Sequence, residues 1–357
     1  MNQSISNEDL SMEKKSPALR QDRSAVVRTN IKRFYIYFVL ALVVVIFSVA
    51  RLGEVAFFER GHFLSPDNII NLLRIAIPIM TLSGAFTFLM IAEKIDLSVG
   101  SAMSLSAVVF AWMILNGFGF LPAFVVTLIV GFLMGYLNGF LVMKLNITPV
   151  IATLVTLSLY KGIALLIVSY TMGAGQSAIK GTAEKPMPAW INNYGREDVL
   201  LGLPMAFFVA LLVIAVLVIV QRKTILGKYT AAIGGNSTAA ELSGINSVKV
   251  VWILFIIVGV CAALAGMARG SYMSLGDPLS GDGMELACII AVLLGGTRFA
   301  GGEGSVEKTI IGAIIIICVT VGMLTIIPAY WQTLVMGCVL ILAVALNHFL
   351  VGEETTA

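Results

Sequence analysis

LPAFVVTLIVGFLMGYLNGFLV, residues 121–142, is the stretch whose reading decides the fold. It contains no Asp, Glu, Lys or Arg, and its few polar side chains (Thr127, Tyr136, Asn138) are scattered. A helix rises about 1.5 Å per residue, so about 20 apolar residues match the roughly 30 Å hydrocarbon core of a bilayer. A helix apolar on every side belongs either in the centre of a large soluble core or in lipid. The whole chain decides between them. It is 59% hydrophobic and 12% charged, with a mean hydropathy of +0.97. Soluble domains are typically about 45–50% apolar and about 25% charged. An excess of this size leaves too few polar residues to cover an aqueous surface, so lipid is the solvent for much of the chain.

Outward from that stretch, comparable runs lie at 34–50, 75–92, 98–115, 149–169, 199–220, 248–268, 308–326 and 331–350. A shorter run at 285–295 cannot cross lipid unaided and predicts a short or broken span. The expectation is an all-α polytopic membrane protein of about ten transmembrane helices. Lys and Arg set its orientation. With the basic tail inside, the inner segments collect Lys94, Lys144, Arg222, Lys223, Lys228, Lys249, Arg298 and Lys308 besides the tail's own seven basic residues. The outer side holds Arg51, Arg60, Arg74, Lys161, Lys180, Lys185, Arg196 and Arg269. Both termini are therefore expected in the cytoplasm.

The organisation that follows is a cytoplasmic basic tail (1–33), a transmembrane domain (34–350) and a C-terminal tail (351–357). An external loop at 170–198, with Pro186, Pro188, Trp190 and Tyr194, is suited to form an ordered cap, and 221–247 forms a cytoplasmic loop. No aqueous segment is large enough for an enzyme or a nucleotidase. Cys261, Cys288, Cys318 and Cys338 sit in apolar runs without CxxC spacing and read as packing residues. His62 and His348 lie too far apart in the chain to suggest a metal site or a nucleophile–base pair.

Several local patterns bear on function. In the inner loop, Gly234-Gly235 interrupts the chain, Asn236 and Ser237 are good N-caps, and 238–242 suits a short helix that Ser243-Gly244 ends. That shape fits a groove on a cytoplasmic partner, or is an ordinary solvated loop. The stretch GEGSVEKT (302–309) ends like a phosphate-binding loop but has Glu307 where the motif needs glycine before its lysine, which argues against nucleotide binding. The glycine-rich 293–309 is better read as a broken, re-entrant backbone. Gly131, Gly135 and Gly139 clear one helix face for close packing. Glu93, Lys94 and Asp96 stand between two apolar runs, either as functional charges at membrane depth or as a tight turn. Asp96, Ser98, Asn138, Thr153 and Thr156 are candidate linings of a hydrated path, although the threonines can instead bond back to their own helix. Asp277 and Asp282 in GDPLSGDG (276–283) read as a solvated outer turn.

IDLSVGS (95–101), GYLNGFLVMKLNITPVIATLVTLSLYKGIALL (135–166), GKYTAAIGGNSTAAELSGI (227–245) and LLGGTRFAGGEGSVEKTIIGA (293–313) together resemble the permease subunits of bacterial ABC sugar importers, in the ribose, xylose, galactose and autoinducer-2 branch. The resemblance spans roughly 35–350, with the motifs in order. It implies a permease of the bacterial inner membrane paired with a second copy or homologue. Two ATP-binding subunits would dock inside, and a periplasmic or lipid-anchored sugar-binding protein outside. It implies that Gly234, Gly235, Asn236, Ala239, Ala240, Leu242, Ser243 and Gly244 couple the ATPase to the membrane, and it favours the docking reading of that loop. ATP and Mg would belong to the partner; this chain is expected to bind no cofactor, metal or nucleic acid and to catalyse no reaction. The chain departs from the family's habits at Glu93-Lys94, Arg298-Phe299 and Glu303. The rival reading is an ion-coupled secondary transporter using Glu93 or Asp96. It is weakened because 285–295 has no matching short span in an inverted half.

Overall fold

The computed structural model describes residues 23–49 and 63–324, together with 331, 334–339, 341 and 345. In chain order the helices are α1 (Arg23–Val49), α2 (Pro66–Ile91), α3 (Val99–Leu115), α4 (Phe120–Met143), α5 (Pro149–Met172), α6 (Asn192–Gly195), α7 (Met205–Lys223), α8 (Ile225–Gly235), α9 (Ser237–Leu242), α10 (Ser247–Met273), α11 (Met284–Leu294) and α12 (Val306–Leu324). Among the described residues β pairing is limited to two isolated bridges, Ile179 with Gly276 and Leu200 with Leu203. α2, α4, α5, α7, α10 and α12 are long and apolar enough to cross a membrane; Tyr35–Val49, α3 and α11 are shorter apolar helices. The expected span at 331–350 lies largely outside the described residues, as do residues 1–22 and the tail 351–357.

Helix starts differ from the hydropathy reading where polar residues are satisfied at an end. α2 begins at Pro66, not near 75. Ser65 caps it by accepting from the Asn68 backbone N–H at 3.3 Å, and proline occupies the first turn. Arg74, which had interrupted the apolar window, is answered by the Asp198 carboxylate and the Gly202 carbonyl. α7 begins at Met205, not 199. Leu201 (φ 55°) and Gly202 (φ 76°) turn left-handed just before it, and Pro204 precedes its first residue. The inner loop is more helical than expected: α7 runs to Lys223 and α8 fills 225–235.

α2, α10 and α12 are mostly buried, while α4, α5 and α7, in which only a minority of residues is buried, lie at the periphery. α10 is the hub, packed on α4, α3 and α2. The glycine face of α4 makes the closest of these contacts. A methyl group at Gly131 would lie 2.6 Å from both the Gly259 carbonyl oxygen and the Ala263 side chain. One at Gly135 would lie 2.7 Å from the Ile256 Cα, and one at Gly139 would strike the Trp252 ring. The backbones touch because no side chain intervenes, which substitutes dispersion contacts for the hydrophobic drive that lipid cannot supply.

Two helices start within the bundle rather than at its ends. Residues 92–98 leave α2 and enter α3 without helix, and 274–283 enter α11 likewise from the opposite end. They meet where Gly100 faces Gly281: a methyl on either would collide with the other's carbonyl oxygen. The Gly281 N–H donates to the Ser104 hydroxyl at 2.8 Å, which satisfies one exposed donor of this irregular backbone.

Candidate functional site

Three groups of residues have chemistry beyond packing. The first is the end of the bundle that carries α8 and α9. The Asn236 side chain caps α9 by accepting the Ala239 N–H at 2.9 Å, and Gly244 ends the motif at φ 84°. Gly234 is pressed against the Ile91 carbonyl so closely that even a methyl group would strike it, and the Gly302 N–H donates to the same carbonyl at 2.8 Å. Gly301 and Gly302 both have positive φ, so this turn depends on glycine. The glycine-rich turn between α11 and α12 therefore lies directly under the α8–α9 junction. The N-terminal turn of α12 is already engaged: the Val306 N–H donates to Gln221, whose amide donates to Gly304, and Glu307 pairs with Arg222. Leu242 is 86% exposed and Phe299 54% exposed, two large apolar side chains projecting from one platform. Ala239 is exposed and Ala240 is buried, so one side of α9 is anchored and the other free.

The second group gathers the polar residues singled out at membrane depth. The Asp96 carboxyl accepts the Ser98 N–H at 2.8 Å, the Ser98 hydroxyl at 2.6 Å and the Asn138 amide at 3.1 Å. Asn138 also donates to the Ser98 hydroxyl oxygen at 2.8 Å. The Tyr160 hydroxyl lies 2.9 Å from the Met134 carbonyl and 3.1 Å from the Asn138 side-chain oxygen. Thr153 accepts the Leu97 N–H at 3.1 Å and donates to the Pro149 carbonyl at 2.8 Å, and Thr156 bonds back to the Thr153 carbonyl. Asp96, Ser98, Asn138, Thr153 and Thr156 are each no more than 2% exposed. They tie 92–98 to α4 and α5 and face no open surface in this conformer. Glu93 and Lys94 turn away at the end of α2, with Glu93 left-handed (φ 59°).

The third group was not anticipated. Lys161, which the charge count above assigned to the outer side, is instead the thirteenth of the 24 residues of α5, and it pairs with Asp282 at 2.8 and 3.0 Å. The expected solvated outer turn instead dips toward the middle of the bundle, and its last aspartate meets this lysine. Glu285, half-buried in the first turn of α11, reaches alongside at Gly100. The clue in the sequence is Lys161 itself, a single charge within an apolar run, a position that defaults to function.

The segment at 170–198 caps the end opposite α9. Ile179 pairs with Gly276 at 2.8 and 2.9 Å, and the Gly195 N–H donates to Ser271 at 2.7 Å. Tyr194 packs on Phe120 and Phe124, and burial pushes its phenol well above the ordinary value, so it stays neutral. Among the described residues, no group of three or more His, Cys, Asp and Glu converges as metal ligands.

The family described as "Branched-chain amino acid transport system / permease component" matches residues 68–344. Among curated relatives, the ribose import permease protein RbsC of Bacillus subtilis (strain 168) is 34% identical over 291 residues, covering 80% of this chain and 86% of the relative. The D-allose transport system permease protein AlsC of Escherichia coli (strain K12) is 31% identical over 317 residues, 88% and 91% of the two chains. The xylose transport system permease protein XylH of Haemophilus influenzae (strain ATCC 51907 / DSM 11121 / KW20 / Rd) is 32% identical, covering 88% and 96%.

Proposed function

The chain belongs to the branched-chain amino acid transport system permease component family, and from that premise we propose that it is the membrane-spanning permease subunit of an ATP-driven importer of a monosaccharide. The ribose, D-allose and xylose permeases among its relatives support the sugar class. The end carrying α8 and α9 faces the cytoplasm of a bacterial inner membrane, in keeping with the bias of Lys and Arg toward that side. ATP-binding subunits dock there, a sugar-binding protein docks on the 170–198 cap, and a second permease copy or homologue completes the path.

One observation carries this reading: α9 is fixed to the bundle through Gly234 and the Ile91 carbonyl, while Leu242 and Ala239 remain free on its outer side. A short helix so mounted transmits a push from a partner without absorbing it in a flexible loop. Closure of the ATPases would move α9 with the turn at 295–304, and through Ile91 would pull on α2 and the 92–98 segment. Alternating access follows from that movement, with the Asp96 network holding 92–98 to α4 and α5 as one body. Hydrolysis takes place on the partner, with its ATP and Mg, and this chain supplies no catalytic group.

The test is gentle solubilisation of the tagged chain from its native membrane and identification of what accompanies it. An ATP-binding subunit should stay with the wild type and be lost from the Ala239→Arg/Leu242→Glu double variant, whose changes fall on exposed positions. If the chain comes out alone and transports sugar only down an ion gradient, the ion-coupled alternative takes its place.

A further inference from the structure

We propose that Lys161, Asp282 and Glu285, together with the open space beside Gly162 and Gly283, form a polyol-binding station halfway through the membrane, completed by the facing permease copy. This rests on the importer reading above. The depth comes from α5. Lys161 is thirteenth of 24 residues, so about 17 Å of helix lies on either side of it. The Lys161 side chain is 32% exposed and that of Asp282 52% exposed, so the pair sits on an outer face of the protomer rather than in its core. Charges at that depth do not face lipid; they face a bundle interior or a water-filled cavity. The covering on this face is therefore wet and lies between copies.

The surroundings fit a small ligand rather than a packed interface. A side chain added at Gly162 or at Gly283 would meet nothing within 4 Å. Gly162 follows Lys161 on α5 and Gly283 follows Asp282, so open space adjoins the backbone that carries each charge. The donor set identifies the ligand class. An ammonium donates and two carboxyl groups accept, a combination suited to the paired hydroxyls of a neutral sugar. Two carboxyl groups against one ammonium leave the station no surplus of positive charge, so it does not favour phosphorylated or otherwise anionic sugars. The irregular 274–283 backbone is held in place by Gly281 donating to Ser104 and by the Gly100–Gly281 contact, so Asp282 is presented from a rigid support.

Gly162→Leu separates the alternatives. The position is helical with empty surroundings, so leucine folds there without strain, and on a lipid-facing surface it would be harmless. The complex with its ATP-binding and sugar-binding partners is assayed for uptake of radiolabelled D-ribose, D-allose and D-xylose in turn. Gly162→Leu is expected to assemble and to lose at least tenfold in uptake of whichever sugar the wild type carries. Unchanged uptake, or failure of the Gly162→Leu complex to assemble, overturns the station: the first makes the face lipid-exposed, the second a packed contact.

A second reading does not depend on the sugar. Asp282→Cys in membranes is treated with a water-soluble thiosulfonate, against Leu212→Cys, an exposed apolar position midway along α7, as the dry control and the parent chain as background. Reaction at least tenfold faster at 282 is expected, and equal rates overturn the station. If the wild type carries none of the three sugars while Asp282→Cys reacts fast, it is the sugar-importer reading that fails and the wet, charged station that stands.

Discussion

Asp96 and Asp282 are carboxylates that each break into an apolar bundle on a non-helical segment, yet their surroundings are opposite. Asp96 is 2% exposed and receives three hydrogen bonds from Ser98 and Asn138. Asp282 is half open and answered by one lysine from a helix 121 residues away in sequence. A buried polar group must have its partners inside the fold, because leaving it without them costs its full desolvation. The Asp96 cluster meets that condition and acts as structure, fastening 92–98 to α4 and α5. An open pair at membrane depth meets it only if something polar arrives from outside. Burial, not polarity or depth, thus separates a clamp from a contact surface.

The largest effect is expected at the closed side. Gly135→Leu would force α4, which carries Asn138, off α10 against the Phe255–Ile256 backbone. Overpacking costs about 1–3 kcal/mol even where side chains can shift, and here the obstacle is main chain. Loss of monodisperse protein in detergent is expected, and a normal elution profile would show that the α4–α10 contact is loose. Asp96→Ala leaves the Ser98 N–H, the Ser98 hydroxyl and one of the two Asn138 amide hydrogens without their acceptor, and should lower unfolding stability by about 3 kcal/mol. A thermal midpoint equal to wild type would mean that the network is not a clamp. Tyr160→Phe removes one hydroxyl from its edge and should cost about 1 kcal/mol by the same measurement.

On the open side the pattern inverts. Asp282→Asn breaks a partly exposed ion pair worth at most about 1 kcal/mol, so the midpoint should barely move while uptake falls severalfold. A large loss of stability with Asp282→Asn would place Asp282 in the same class as Asp96.

Much of this was legible in the sequence, for identifiable reasons. Spans at 121–142 and 149–169 show as α4 and α5 within a few residues, because a long, predominantly apolar run in lipid must satisfy its own backbone as a helix. The short span at 285–295 is α11, and the caps Asn236 and Gly244 bound a short helix because their chemistry is local. The early start of α2 escaped notice because Arg74 looks like a boundary until Asp198 is placed beside it. The descent of 274–283 escaped for the same reason: the Gly100–Gly281 contact and the Lys161–Asp282 pair are long-range, and no local window shows them. Polarity singled out Asp96, Ser98, Asn138, Thr153 and Thr156 as candidate linings of a hydrated path, and in the fold they are buried against one another. Only coordinates could show that they satisfy one another.

The central claim is that this chain moves its cargo through ATP-driven motion of attached subunits. The most direct measurement is uptake into proteoliposomes holding the complete complex, with ATP enclosed on the side of α9 and the sugar-binding protein on the other, with and without ionophores. Uptake is expected to stop without ATP and to continue when ion gradients are collapsed. Uptake by this chain alone that ends when the gradient is removed would contradict it.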